Sequence, residues 1–251
     1  MHKLVPYYDD PSYDYPKYWE GREYENTSDR LAVTKLLRLV PKGGEIVDIG
    51  GGFGRLIPAY QKHFSKLTLV DSSEKMLSQA KKMFGQNNLT LVRAFAEKLP
   101  FTDKSFDAAL MVRTYHHLAD NQKAINEVGR IVKPGGYFIL EFANKLHFKT
   151  RLKSFLKLDF NRLNSLEPIT VGKTGSDKIP FLNHHPEAVK GILKNSGFIL
   201  KKVISVSNFR SPFLKRHLPL SFLLATEKAA QNMPFNLYTG PSIFILSQKT
   251  P

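Results

Sequence analysis

From residue 45 onward, apolar positions fall into short continuous runs separated by longer amphipathic stretches. E-I-V-D-I (45–49), L-T-L-V-D (67–71), L-T-L-V-R (89–93), F-D-A-A-L-M-V (106–112) and Y-F-I-L-E-F (137–142) read as strands, the first of them buried. Between them, residues 55–63, 73–84 and 121–132 carry helical periodicity, and Pro134-Gly135-Gly136 marks a turn. Strands alternating with helices at this spacing imply βαβ units and a mostly parallel sheet. Upstream, a helix is expected to begin with Thr27, Ser28 or Asp29 as N-cap. It should set Ala32, Leu36, Leu39 and Val40 on one face and end at Lys42-Gly43-Gly44.

After Phe142 the rhythm breaks. Residues 146–182 show no strand pattern, but Leu152, Phe155, Leu156 and Leu163 recur at helical spacing. A helix over 186–196, a sixth strand F-I-L-K-K-V-I-S-V and a seventh, P-S-I-F-I-L-S-Q, restore the pattern around an irregular stretch, 208–240. The expectation is an α/β fold: a doubly wound, seven-stranded, mostly parallel sheet in a single domain over residues 1–251. It carries an N-terminal arm (1–26), an insertion after strand five (146–182) that serves as a lid, and a second insertion (208–240) between strands six and seven.

Composition narrows the chemistry. The chain has no cysteine, which excludes disulfides, thiolate metal sites, iron–sulfur clusters and a cysteine nucleophile. No apolar run approaches the roughly 18 residues of a membrane span; the best, Leu218 to Ala225, is interrupted by Pro219 and Ser221. The first ten residues lack a signal-like apolar core, so a cytoplasmic protein is expected. The net charge of +15 is uneven: residues 146–251 hold 16 Lys+Arg against 5 Asp+Glu. Such asymmetry is either a solvated basic surface or the footprint of an acidic, phosphate-bearing or nucleic-acid partner.

The stretch richest in chemistry is V-D-I-G-G-G-F-G-R (47–55), at a strand-to-helix junction where glycine lets a ligand approach the backbone. A dinucleotide fingerprint starting at Gly50 fails at its sixth position, which is Arg55. The pattern present is D-x-G-x-G-x-G, from Asp48 through Gly50, Gly52 and Gly54. Asp71, ending the second strand, is placed to accept from both hydroxyls of a ribose; alternatively Asp71-Ser72-Ser73-Glu74 is a helix cap.

With these segments the sequence resembles the class I S-adenosylmethionine (SAM) dependent methyltransferases, in the broad group acting on varied metabolites. V-D-I-G-G-G-F-G-R, L-V-D-S-S-E-K-M-L, A-E-K-L-P-F-T-D-K-S-F-D-A-A and E-V-G-R-I-V-K-P-G-G-Y-F carry the resemblance, over roughly residues 25–145. It implies the Rossmann-like methyltransferase fold and SAM as cofactor. Gly50, Gly51 and Gly52 would line the methionine part, with Asp48 near its ammonium. Asp71 would bind the ribose, Ser72 and Met76 would sit beside the adenosine, Ala96 and Glu97 would lie at the adenine edge, and Arg113 would line the cavity. The family often has an acid immediately before the A-E pair, where this chain has Phe95.

Candidates for the chemistry follow strand four, at the carboxyl edge where ligands bind in such sheets. Tyr115 and His116 are the expected catalytic pair, His116 as a base because a free imidazole titrates near 6.5. His117, His184 and His185 are further candidates with a packing role as the alternative. In the arm, Tyr8, Tyr18 and Arg22 could fold over the cofactor, with Arg22 on its carboxylate. The D/N-P-P-aromatic motif of amino-directed base methylation is absent after strand four, where R-T-Y-H stands. The reading is methyl transfer to a small-molecule, lipid or natural-product acceptor, including one with an anionic part. An RNA methyltransferase using the basic C-terminal portion and a non-catalytic SAM-binding protein are the alternatives. No metal is expected.

Overall fold

The computed structural model describes residues 7–10, 14–85, 88–171, 181–233 and 238–251. Parts of the predicted arm and of both predicted insertions lie outside them. The elements, in chain order, are α1 (Tyr15–Tyr18), α2 (Glu23–Leu37), β1 (Glu45–Ile49), α3 (Ile57–Tyr60), β2 (Lys66–Asp71), α4 (Glu74–Phe84), β3 (Leu89–Arg93) and β4 (Phe106–Met111). Then come α5 (Asn121–Ile131), β5 (Val132–Ala143), α6 (Phe148–Leu156), α7 (Asn161–Asn164), β6 (Ile169–Thr170), β7 (Leu182–Asn183) and α8 (Pro186–Asn195). β8 (Phe198–Val206), α9 (Pro212–His217), α10 (Leu220–Gln231) and β9 (Ser242–Lys249) complete the chain.

Seven strands form one sheet in the order β3-β2-β1-β4-β5-β9-β8, parallel except for β9, which runs antiparallel to both neighbours. This is the doubly wound arrangement the pattern predicts. The order reverses between β1 and β4, and the crevice at the carboxyl ends of strands flanking such a switch is where ligands bind. Two apolar layers cover the sheet, and alternation along each strand decides which layer a side chain joins. Val47 and Ile49 enter one layer and Ile46 the other. Asp48 therefore shares the face of Ile46, and there it accepts the Tyr60 hydroxyl at 3.0 Å.

Several local expectations are corrected. α2 starts at Glu23 rather than near Asp29, because Ser28 and Asp29 are buried inside it and Asp29 has arginine partners in place of a capping role. Leu39 is exposed, although Ala32, Leu36 and Val40 are buried as expected. The helix foreseen over 55–63 is reduced to α3, since the loop turns and Pro58 delay its start and the His63 carbonyl accepts from Gly43. Pro134-Gly135-Gly136 is absorbed into β5 at an irregularity in its pairing with β4. The stretch after Asn208 contains α9 and α10. In α10, Glu227 is buried and accepts from the Tyr24 hydroxyl at 2.7 Å and the Ser207 amide at 2.8 Å, so a tertiary contact orders what looks irregular in sequence. Residues 146–182 contain a short ribbon, β6 with β7, that the pattern did not show.

Both insertions leave the same edge of the molecule. β5 and β8 run in the direction of β1 and β4, so α6 and α9 each follow a carboxyl end.

Candidate active site

The glycine loop turns off β1 with Gly50 at φ +69° and Gly52 at φ +56°, conformations that an L side chain adopts only at a cost. At Gly50 space is also lacking: a Cβ would lie 2.2 Å from the Thr114 hydroxyl oxygen. At Gly52 the nearest atom to a Cβ is on the Tyr15 ring, 3.7 Å away, so this glycine borders space roofed by an aromatic ring. Tyr15 in turn sits edge-on to Phe53 and stacks on Tyr18. The arm thus lies over the loop through Tyr15. Tyr18 is exposed and carries the Arg22 guanidinium 4.0 Å from its ring centre.

Two buried carboxylates flank this loop. Asp71 accepts from the Gly52 amide and from the Ser73 amide, both at 2.9 Å. The cap of α4 is Ser73, whose hydroxyl accepts from the Met76 amide, and this releases Asp71 from capping. Burial raises the Asp71 carboxyl to about 6, against the lowering by those amides. Burial likewise raises Asp48 to about 7, with the Tyr60 hydroxyl and Arg55 pulling the other way. Among the described residues neither acid forms an ion pair, and both favour a ligand that donates hydrogen bonds or carries positive charge.

Ser72 and Met76 follow Asp71, Ser72 half-buried and Met76 buried. Ala96 is buried and Glu97 half-buried, beyond β3. Asp9 ties the arm to this side by accepting from the Ser73 hydroxyl at 2.5 Å and the Lys75 amide at 3.2 Å.

On the other side, Arg113 follows β4 with φ +62° and reaches α2, donating to Asp29 at 2.9 and 3.1 Å. Arg55 donates to the same carboxylate at 2.9 Å, and the Arg113 amide donates to Glu141 at 2.8 Å. Burial opposes the Arg113 charge, but Asp29 and Glu141 override it and hold the guanidinium charged.

Past Arg113, the 3-10 turn Tyr115–His117 packs into the domain. The Tyr115 hydroxyl, His116 Nδ1 and His184 Nε2 are buried with no hydrogen-bond partner among the described residues. The Tyr115 and His184 rings meet with centroids 4.8 Å apart, and His116 lies 4.3 Å from Phe181. Burial raises the Tyr115 phenol above its usual range, drives His116 well below its own and lowers His184 to about 4. All three are neutral at physiological pH.

A methyltransferase-domain family model matches residues 47–140. The chain is 27% identical over 171 residues to the ubiquinone/menaquinone biosynthesis C-methyltransferase UbiE of Cronobacter sakazakii, covering 63% of this chain and 68% of that one. Against UbiE of Bartonella bacilliformis it is 37% identical over 111 residues, 41% of this chain and 42% of the relative. The fold is similar to that of a SAM-dependent methyltransferase from Thermotoga maritima, described as a possible histamine N-methyltransferase. The TM-score is 0.63 at 23% identity, over 94% of this chain and 96% of that one.

The chain is a class I SAM-dependent methyltransferase. Its cofactor is S-adenosylmethionine. The structure of this methyltransferase brings Asp48, the three glycines, Asp71 and Ser72 together at the ends of β1 and β2, and Arg113, Tyr115 and His116 together beyond β4. Tyr18 and Arg22 pair with each other. Asp29, Arg55, Glu141 and Tyr15 escaped sequence reasoning. Glu141 had a signal, a lone acid inside an apolar strand; Asp29 had none, because a helix-start residue and a buried ion-pair partner look alike in sequence.

Proposed function

We propose that the enzyme transfers the methyl group of SAM by in-line displacement to a small acceptor with a largely apolar body, such as a lipid or natural product. The observation that carries this reading is the neutral, buried and unpartnered set of Tyr115, His116 and His184. Orphaned buried polar groups are costly and mark places where a ligand completes the hydrogen bonding. A protonated phenol and two neutral imidazoles suit an uncharged oxygen or nitrogen on an otherwise apolar molecule. An imidazole held so far below its usual range is a weak base, so Tyr115 and His116, our catalytic assignment, act chiefly by orientation. Holding reactants in line can supply roughly 7–11 kcal/mol.

The pocket chemistry fits the cofactor. Asp48 offers a carboxylate for the methionine ammonium, and Asp71 keeps lone pairs for the ribose hydroxyls. Gly50, Gly51 and Gly52 let the methionine part approach, Ser72 and Met76 flank the adenosine, and Ala96 and Glu97 border the adenine. Arg113 lines the cavity while fixed by Asp29, and Tyr18 and Arg22 close it from the arm. SAM supplies a methyl group on a sulfonium, whose departure needs no acid from the protein. The UbiE relatives, named as C-methyltransferases of quinone biosynthesis, support a small acceptor. A cavity of about 380 Å³ between α6 and α7 has apolar walls with Arg151 and His185, where an anionic part of the acceptor would rest.

Labelled methyl transfer from SAM into a cell extract, separated into small molecules, lipids and RNA, tests the reading. Label in a nuclease-resistant small-molecule or lipid fraction supports it. Label in RNA alone overturns it in favour of the basic C-terminal portion as an RNA-binding surface.

A further inference from the structure

α6 is mounted inside out. In a surface helix the large apolar residues face the protein and the polar ones face water. Here the one buried residue of the helix is Ser154, at 1% exposure, whereas Phe155 is 64% and Leu156 74% exposed. Phe148 and Leu152, one helical turn apart, continue the exposed stripe toward the N-terminus, and Leu158, at 76%, extends it beyond the C-terminus. Lys149 and Lys153 lie beside this stripe at a spacing of four, and Lys157 continues the row at the C-cap. All three are exposed, and none has an ion-pair partner among the described residues. The second insertion repeats the feature on the same edge of the sheet, with Phe213 67% exposed in α9 next to the exposed Arg216.

Charge complementarity decides what covers such a surface. A second copy docking face to face would set Lys149, Lys153 and Lys157 against themselves, at a total chain charge of +15. A nucleic acid would satisfy the lysines and leave the phenylalanine and leucine stripe in water. Only a surface with an apolar interior beneath a negative skin meets both parts. Aromatic and aliphatic side chains flanked by lysine are what an interfacial helix uses to enter the headgroup layer of a bilayer. Among the described residues no helix is long and apolar enough to cross a membrane, so the contact is peripheral.

We propose that the α6 face, with α9 on the same edge of the sheet, docks on an anionic lipid bilayer and holds the carboxyl edge of the sheet, where the active site lies, against the membrane. The face shares Phe155 with the wall of the cavity between α6 and α7, and otherwise stands on exposed residues that neither that cavity nor the cofactor site uses.

The test is flotation of the full chain with vesicles of phosphatidylcholine containing 30% phosphatidylglycerol, about that fraction being enough to set up a strongly negative surface, against phosphatidylcholine alone. Binding is expected to the anionic vesicles and to weaken steeply with salt. Each lysine near such a surface contributes about fivefold, so the triple variant K149Q/K153Q/K157Q should lose about a hundredfold in partition. The double variant F155S/L156S should lose at least about tenfold through lost apolar burial. Because these side chains are exposed, both variants should keep the wild-type melting temperature and S-adenosylhomocysteine affinity, which separates a docking defect from a folding defect. Absence of vesicle binding, or binding that both variants retain, overturns the proposal. A concentration-dependent dimer that F155S/L156S converts to monomer, without vesicle binding, overturns it in favour of self-association.

Discussion

Asp29 and Arg113 meet in a two-point ion pair between the middle of α2 and the second residue past β4, 2.9 Å from Nη2 to Oδ1 and 3.1 Å from Nε to Oδ2. Asp29 is fully buried, and the same carboxylate holds Arg55. One acid in the first long helix therefore fixes the exits of both β1 and β4, the two strands that flank the switch point. Asp29→Asn leaves two buried arginines without their counter-charge and should lower stability by about 3–5 kcal/mol. Urea unfolding checks this; a loss below about 1 kcal/mol would show that Glu141 and solvent suffice.

Gly50 and Gly52 both have positive φ but differ in surroundings. Alanine at either position costs roughly 1–2 kcal/mol for the left-handed backbone. At Gly50 the new methyl also collides with Thr114 and must shift the residue that leads into Tyr115 and His116. Gly50→Ala should thus be the more destabilising variant by thermal melting, and it should impair turnover even at saturating SAM. Equal melting temperatures for the two variants would count against this coupling of loop and turn.

The pH dependence of cofactor binding should follow Asp48. Burial raises its carboxyl to about 7, and an ammonium beside it favours the ionised form. Binding then releases a proton below about pH 7, so affinity rises with pH up to that point and levels off above it. In the ligand-free protein the sign is opposite. The folded state holds this proton more tightly than the unfolded chain, so Asp48 favours folding as pH falls from about 7 toward the usual carboxylate value. Calorimetry in buffers of different ionisation enthalpy measures the released proton. Asp48→Asn should abolish it and flatten the profile.

Asp71→Ala should weaken S-adenosylhomocysteine binding by about 1.5–3 kcal/mol, the range for removing a charged acceptor. Nicotinamide dinucleotide should not bind the wild type in the same calorimeter, since the glycine spacing does not match its fingerprint.

Tyr115→Phe and His184→Ala should raise the KM for the acceptor or lower kcat while leaving S-adenosylhomocysteine affinity unchanged, because Tyr115 past β4 and His184 past β7 meet each other rather than the glycine loop. Steady-state kinetics with a labelled acceptor checks both. A change confined to melting temperature would assign the trio to packing.

The legible part of this protein was its periodic part. β1, β3 and β8 run over the residues their apolar runs mark, and β2 and β4 come within one residue, because short apolar runs bounded by polar and turn residues leave a clear strand signature whether or not both faces are covered. The D-x-G-x-G-x-G loop was legible for a related reason: a backbone that must turn left-handed under a ligand demands glycine at set positions. Helix boundaries were less so. α2 gains its first turns and α10 its existence from contacts with residues far along the chain, such as Tyr24 with Glu227.

By itself, then, the sequence determined the strands, their doubly wound and mostly parallel class, the glycine loop and the cofactor class, since each depends on local conformation or on a pattern with one physical solution. Tertiary structure alone decided three other things. It drew Asp29 inward to two arginines, because guanidinium groups removed from water require a carboxylate and the fold brings this distant one between them. It made Tyr115, His116 and His184 neutral, since burial and not residue type sets their charge. It turned the apolar face of α6 outward, for helical periodicity specifies that a stripe exists, while only the packing of neighbouring elements specifies which way it points.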